Sequence, residues 1–566
     1  MKRRGVIFFP FRYVWWLLSS VRRSIGRPLD YVIFVLESGL PTLPDPPGPF
    51  WQRFISQSRL SIKEMGERFD AIARDPRTKG VVLHLRPVPM PMATLQDLRE
   101  LVSKLRARGK RVIAWAPFYT TGTYYLACAC DEIVLMPAGL VRPLGFSSTG
   151  VFLADALARV GIKADFIQIS PYKSAADPLT KSEMTPEVRE QTTWLLDSNY
   201  KELVRAVGES RRVGVDVAAQ LVDGSPYTDS TALEAHAVDA LVPEEQLPDR
   251  LGSAGSRARI ATWDQARRRL RAPRPTTGRG KYVAIMRIEG TIIDGRSGRL
   301  PIQPPIDVPI VGEERAGDLS VVPLARQIAA DKRVAAAVLY VNSRGGSATA
   351  SEAMRQALEL IAKRKPLVIA MGPVAGSGGY LVATPGQWII ARPGTLTGSI
   401  GVLTGKLVTA GMFSKLLVNR ETVAFGNHVT LEGDDDPFTD EERKIVRGEI
   451  DRTYELFLEA VASSRKMTRD DVHPIAAGRV WTGSQALERK LVDELGGLET
   501  AVTKARSLAG LAESVPAREV RAPRKPIPPQ AMPSAAAWIG YVLEGIGLLS
   551  RAPSLTVMEF LPADPD

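Results

Sequence analysis

Ser377 stands in the run Met371–Tyr380, MGPVAGSGGY, with Gly376 before it and Gly378 and Gly379 after it. Glycine lets backbone approach a ligand closely and adopt positive φ. An apolar run, Pro366–Met371, predicts a buried strand ahead of this turn, and Tyr380–Ala383 predicts a helix after it. A serine on such a turn exposes its hydroxyl, and the amides opening the next helix face any oxygen beside it. That combination describes a nucleophile with half an oxyanion hole. A second glycine pair, Gly345-Gly346 within Ser343–Ser347, sits on another strand-to-helix turn and adds amides of the same kind. Lys173, in Tyr172-Lys173-Ser174 ahead of Thr185, supplies an amine on a loop.

The elements that must position these groups come from a chain that repeats itself. Gly224–Leu241 matches Gly478–Leu495 at nine of eighteen positions without a gap, at an offset of 254. Within a few residues the same shift pairs Tyr31 with Tyr282, Val82 with Val338, Tyr125 with Tyr380 and Thr185 with Thr439. Ordered anchors of this kind indicate a tandem duplication. The expected organisation is a leader at 1–29, a first copy at 30–252, a basic linker at 253–280, a second copy at 281–510, and a Pro-rich linker with an amphipathic tail at 511–566. Within each copy short β-branched runs alternate with helical stretches, which predicts an α/β fold with a largely parallel sheet. Strands are expected at Asp30–Gly39, Tyr282–Ile288, Ala335–Val341, Pro366–Met371 and Trp388–Ala391. Helices are expected at Ser347–Arg364 and Thr439–Ser464, the latter opened by a capping box, with Thr185-Pro186-Glu187 as the matching start in the first copy.

Comparing the copies through Tyr125 and Tyr380 sets Ser377 opposite Gly122, and Ser343–Ser347 opposite the Pro87–Met90 stretch. On this reading the first copy holds the amine, and the second the hydroxyl and the amide-rich turns. The 566 residues carry a net charge of +12, but the first 27 contribute +7 and Arg257–Lys281 contribute +8. The rest is slightly acidic, so no nucleic-acid face is expected. Cys128 and Cys130, one residue apart, are expected to be small buried residues rather than a bridge. The four histidines show no metal-ligand spacing, and Gly345-Gly346 is not followed by the Gly-Lys-Ser/Thr of a phosphate loop. No cofactor or metal is expected. The leader is short, interrupted by Pro10 and Arg12, and rich in Trp and Arg, which suits a membrane interface rather than a spanning helix. Ser297–Ser320 is Pro-rich and reads as a mobile or gating insertion, and Ala535–Leu549 as a second interfacial or docking helix.

Several motifs together resemble the signal peptide peptidase A (protease IV) family in its long, duplicated form. They are Val341-Asn342-Ser343 through Ser347, Ala375–Tyr380, Thr395–Gly401, Tyr172–Ala175, and Trp481-Thr482-Gly483 through Gly497. The resemblance covers nearly all of 30–510 and implies two crotonase/ClpP-like domains and a Ser/Lys dyad. By motif match Ser377 is the nucleophile, Lys173 the general base and Ser399 a contact of the lysine amine, with Gly345, Gly346 and Gly378 in the oxyanion hole. It further implies ATP-independent cleavage of hydrophobic peptides such as spent signal peptides. The implied setting is a homo-oligomer, a tetramer by family, at the bacterial inner membrane. Arg344 and Tyr340 depart from the family pattern, which usually has Pro and Arg there. Two alternatives share the scaffold: a crotonase-type acyl-CoA enzyme, and a non-catalytic membrane scaffold.

Overall fold

In the computed structural model the described residues are 13, 28–45, 59–169, 171–253, 255–271, 280–299, 314–521 and 555–557. The expectations for the leader before Pro28 (except Tyr13), for 300–313 and for Ala535–Leu549 lie outside them. The chain divides into two compact units. The first takes residues up to Ser147 and Leu196–Gly280, and the second takes Ser148–Leu195 and Lys281–Leu561.

In the first unit the chain lays down β1 (Tyr31–Leu36), β2 (Gly80–Leu85), β3 (Arg111–Thr120) and β4 (Glu132–Arg142). After β5 (Lys163–Gln168), which belongs to the second unit, come β6 (Tyr227–Thr228), β7 (Ala240–Leu241) and β8 (Ile260–Thr262). Their order is β6-β4-β3-β2-β1-β8, with β7 also on β4. The β1–β2, β2–β3 and β3–β4 pairs are parallel. Every residue of β2, GVVLHL, is buried, the continuous apolar run expected of a strand covered on both faces. The covering helices α1 (Ile62–Arg74), α2 (Met92–Ala107) and α3 (Thr121–Ala127) turn Met65, Phe69, Leu98 and Tyr124 into that core.

The second unit repeats the plan. Its strands are β9 (Tyr282–Glu289), β10 (Thr291–Ile293), β11 (Gly298–Arg299), β12 (Glu314–Gly317), β13 (Val334–Ser343), β14 (Gly345–Ser347), β15 (Leu367–Gly376) and β16 (Trp388–Ala391). Then follow β17 (Leu396–Gly398), β18 (Leu403–Val408), β19 (Val480–Thr482), β20 (Glu494–Leu495), β21 (Ala517–Glu519) and β22 (Leu555–Val557). One sheet has the order β19-β17-β15-β13-β9-β21. Along that path it repeats the first unit's order, with β16 added on β15 and β20 on β16. The long helices α4 (Pro186–Arg211) and α7 (Asp440–Arg465) each run 26 residues, and the division between units falls inside α4. Thr439 caps α7 with the expected capping box, and Thr185 accepts from the Val188 amide at the start of α4. Between them in chain order are α5 (Ala348–Ala362), capped by Ser347, and the single turn α6 (Gly378–Leu381).

A second sheet in this unit, β11-β12-β10-β14-β22-β18-β5, has no counterpart among the described residues of the first. β5 pairs antiparallel with β18 through six residues, from Lys163 opposite Val408 to Gln168 opposite Leu403. Asp165 of β5 accepts from Arg443 at 2.7 and 2.9 Å and from the Phe438 amide at 2.9 Å. That pairing draws 148–195 away from the first copy, although the first copy was expected to run unbroken from 30 to 252.

Candidate active site

β15 is longer than its apolar run and carries the chain to Gly376, one residue short of Ser377. Ser377 then takes φ 55° and ψ −121°, a conformation non-glycine residues rarely adopt. Such a position costs on the order of 1–3 kcal/mol and persists only where the surroundings enforce it. Enforcement is visible: the Ser377 amide donates to Gly398 O at 2.9 Å, and its carbonyl accepts from Tyr380 and Leu381 of α6. The threonines of Thr395–Gly398 fasten the neighbouring strand. Thr395 Oγ1 donates to Gly372 O at 2.9 Å, and Thr397 Oγ1 to Ala375 O at 2.7 Å.

Lys173 is 1% exposed and its Nζ lies 2.7 Å from Ser377 Oγ. The same nitrogen reaches Ser399 O and Ser399 Oγ, both at 3.0 Å. Among the described residues the amine makes no ion pair, and burial holds its pKa well below the ordinary lysine value. All three residues lie in the second unit. The sequence-derived trio of Ser377, Lys173 and Ser399 is therefore assembled within one unit of one chain.

The floor under the lysine is the loop before β19. Tyr172 donates its amide to Ala477 O at 3.2 Å, and Ser399 donates its amide to Arg479 O at 2.6 Å. Gly478 sits between, at φ 87°, and a Cβ there would stand 2.2 Å from the Lys173 amide nitrogen. Only glycine fits. Aromatic rings brace this floor: Trp194 of α4 stacks on Trp481 at 4.8 Å, with Arg479 over Tyr172 and Arg489 over Trp481. Trp194 Nε1 donates to Val480 O, and Gln191 accepts from the Val480 amide. Sequence reasoning missed Gly478, Gln191 and Trp194. The one available signal was that Gly478 opens the repeated eighteen-residue stretch.

The three expected oxyanion glycines differ. Gly378, first residue of α6, is buried, and its amide makes no hydrogen bond among the described residues. The Gly345 amide donates to Ser343 Oγ at 3.1 Å, while that hydroxyl donates to Gly290 O at 2.6 Å. Gly345 thus serves an oxyanion only by exchanging this bond. Gly346 holds φ 146°, and a Cβ there would meet Ile292 O at 2.0 Å. It shapes the turn. Arg344 is half-buried on this turn with no partner among the described residues.

One alignment expectation is corrected. Leu140 of β4 faces Thr228, and Leu396 of β17 faces Thr482. Tyr124 donates to Ala237 O as Tyr380 donates to Leu491 O. These matches set Tyr124, not Tyr125, opposite Tyr380, so Thr121 rather than Gly122 stands opposite Ser377. The first copy keeps a hydroxyl at that place. It is 2% exposed and lies 3.3 Å from Gly145 O, and by the same register Pro143 stands where the second copy has Ser399.

Among the described residues no group of three His, Cys, Asp or Glu is placed to hold a metal ion. Nor is any helix there long and apolar enough to cross a membrane. Cys128 and Cys130 are free and buried.

Comparison with known proteins gives a consistent picture. Residues 104–254 and 359–512 each match Peptidase family S49. Protease 4 of Haemophilus influenzae is 30% identical over 449 residues, 77% of this chain and 71% of that protein. Protease 4 of Salmonella typhi is 30% identical over 481 residues, covering 81% and 74%. The chloroplastic serine protease SPPA of Arabidopsis thaliana is 29% identical over 524 residues, covering 90% and 74%. Among solved structures, a ClpP1 mutant from Listeria monocytogenes matches 38% of this chain with a TM-score of 0.24 and 12% identity.

Proposed function

The chain belongs to peptidase family S49 and is a serine-type peptidase, and from that premise we propose a membrane-associated endopeptidase working through a Ser377–Lys173 dyad. Its substrates are extended hydrophobic peptides such as cleaved signal peptides, and its fold is a duplicated crotonase/ClpP-like one. One observation carries the reading: a fully buried amine 2.7 Å from the hydroxyl of a strained serine.

A neutral amine has two N–H donors and one lone pair. The two contacts to Ser399 use the donors, which leaves the lone pair for the Ser377 hydroxyl. Lysine acts as a base only when uncharged, and desolvation is what keeps it so. Ser377 Oγ attacks the peptide carbonyl as its proton passes to Lys173. The oxyanion meets the Gly378 amide at the start of α6, joined by Gly345 once the bond to Ser343 is exchanged. Lys173 then protonates the leaving amine and later draws a proton from the water that hydrolyses the ester. No nucleotide enters these steps. Association with the inner membrane through the basic aromatic leader, and assembly into a homo-oligomer, complete the proposal.

The test is labelling with a fluorophosphonate probe, followed by turnover of a fluorogenic hydrophobic peptide. Labelling and turnover that vanish together in Ser377→Ala and in Lys173→Ala are expected. A wild-type chain that neither labels nor cleaves would sink the dyad. Thioester turnover indifferent to Ser377→Ala would favour the acyl-CoA alternative.

A further inference from the structure

Arg257–Lys281 carries +8, and the described part of that run is fastened to the edge of the first unit's sheet. β8 pairs parallel with β1, from Tyr31 opposite Ile260 to Ile33 opposite Thr262. A single turn follows, Trp263–Ala266, in which Ala266 is buried, and Leu270, four residues on, is buried too. Residues four apart share a helical face. That face turns to the core, and Arg267, Arg268 and Arg269 stand exposed between the two anchors.

Here lies a cavity of about 660 Å³, lined by Arg257, Arg259, Arg268 and Arg269 with Gln265 and Leu29, and by no Asp or Glu among the described residues. The acids that touch this stretch are engaged. Asp249 pairs with Arg257, Asp264 with Arg267, and Asp30 with Lys79 and the Arg259 amide. Arg268 and Arg269 have no side-chain partner among the described residues. Like charges around one hollow repel, and an anion seated among them relieves that repulsion. Guanidinium groups suit a phosphate, which they hold by paired N–H donors. Leu29 decides between anions. It is a buried wall of the cavity, and Arg27, which closes the stretch carrying +7, precedes it by two residues. Two residues of chain span at most about 7 Å, inside the screening length of about 8 Å at physiological salt. A leader resting on an anionic membrane therefore sets this cavity beside the charged surface.

We propose that the cavity seats the phosphate headgroup of an anionic phospholipid and docks the first unit on the membrane. The inference rests on the membrane-associated reading above and gives it a second contact, separate from the leader. An arginine beside an anionic surface strengthens attachment about fivefold, so Arg259, Arg268 and Arg269 together supply on the order of 100-fold. Ser377, Lys173 and Ser399 all lie in the other unit, so turnover of a soluble peptide is independent of the cavity.

The experiment floats the full chain on vesicles of phosphatidylcholine with about 30% phosphatidylglycerol, and on phosphatidylcholine alone. One variant carries Arg259→Gln, Arg268→Gln and Arg269→Gln. A control of equal charge carries Arg326→Gln, Lys332→Gln and Lys444→Gln, all exposed cations of the second unit. The expected result is a cavity variant that partitions to the anionic vesicles on the order of 100-fold more weakly, a control that stays near wild type, and soluble-peptide turnover unchanged in both. Equal losses in the two variants would assign the binding to diffuse charge and overturn the proposal. Displacement of wild type from the vesicles by inorganic phosphate or by a short RNA at matched ionic strength would also overturn it, because the cavity would then take a free anion or a nucleic acid. A cavity variant that floats as well as wild type overturns the cavity and leaves the membrane-associated reading standing. A wild-type chain that does not float overturns both.

Discussion

The two copies share a sheet order and a buried Tyr anchor, yet among the described residues only the second sets a buried amine against its hydroxyl. The first has Thr121 at the end of β3 where the second has Ser377 at the end of β15. What separates them is the surroundings rather than the presence of a hydroxyl. Thr121 faces Gly145 O, within a copy that has a proline at the Ser399 place and no glycine pair between β2 and α2. Ser377 faces a buried amine whose pKa is held low by desolvation, and the start of a helix. The lesson is that the hydroxyl alone does not separate the copies: a buried amine and the glycine turns stand around Ser377, and among the described residues Thr121 has neither beside it.

The sharpest way to break this contrast is to delete each hydroxyl in turn. Ser377→Ala is expected to lower kcat/KM on the order of 10⁴–10⁶-fold, whereas Thr121→Ala leaves it unchanged and costs about 1 kcal/mol of stability. Peptide turnover and a denaturant titration on the two variants decide it. Equal losses would mean that the first copy also takes part in the chemistry.

Next in size is the glycine pair of the repeated segment. Gly478→Ala pushes a methyl into the Lys173 backbone at a positive φ, and turnover should fall at least about 100-fold, the scale of a small misplacement of a catalytic group. The equivalent Gly224 has φ −76° and crowds Tyr227 and Gln220 instead. Gly224→Ala should lower the melting temperature and spare kcat.

The pH profile follows from the buried amine. The Lys173 pKa is lowered in the folded chain, so activity is absent while the amine is protonated and rises with pH through the folded value. It reaches its plateau before the ordinary lysine value near 10.4. Stability linked to this group has the same sign: the unfolded chain binds the extra proton, so folding gains as pH rises through that window. A kcat/KM profile falling with pH over that range would contradict a lysine base. The smallest effect is expected from Ser399→Ala, which removes one of three contacts to Nζ. It should cost about tenfold in kcat, one hydrogen bond's worth, and the Pro143 place in the first copy should tolerate alanine with no change in turnover.

Much of this was legible before any coordinates. Buried parallel strands announce themselves as apolar runs, and the Thr439 capping box fixes a helix start locally, so those elements appear where expected. The trio Ser377, Lys173 and Ser399 was legible through motifs. The allegiance of 148–195 was not, because β5 finds its partner β18 more than two hundred residues away, and no local pattern encodes such pairing. The one-residue slip at Thr121 has a similar cause. Adjacent tyrosines at 124 and 125 make equally good anchors in sequence, and only their hydrogen bonds tell them apart. The seat of β22 is long-range in the same way.

Lys173 and Ser377 lie 204 residues apart in sequence, and that distance also sets a timetable. The lysine is made early, the serine later, and the ledge of Ala477–Arg479 that supports both comes last. A chain still emerging from the ribosome therefore holds Lys173 and Ser377 before the ledge that sets them together. On the proposed dyad, order of synthesis delays the reaction until that ledge is made.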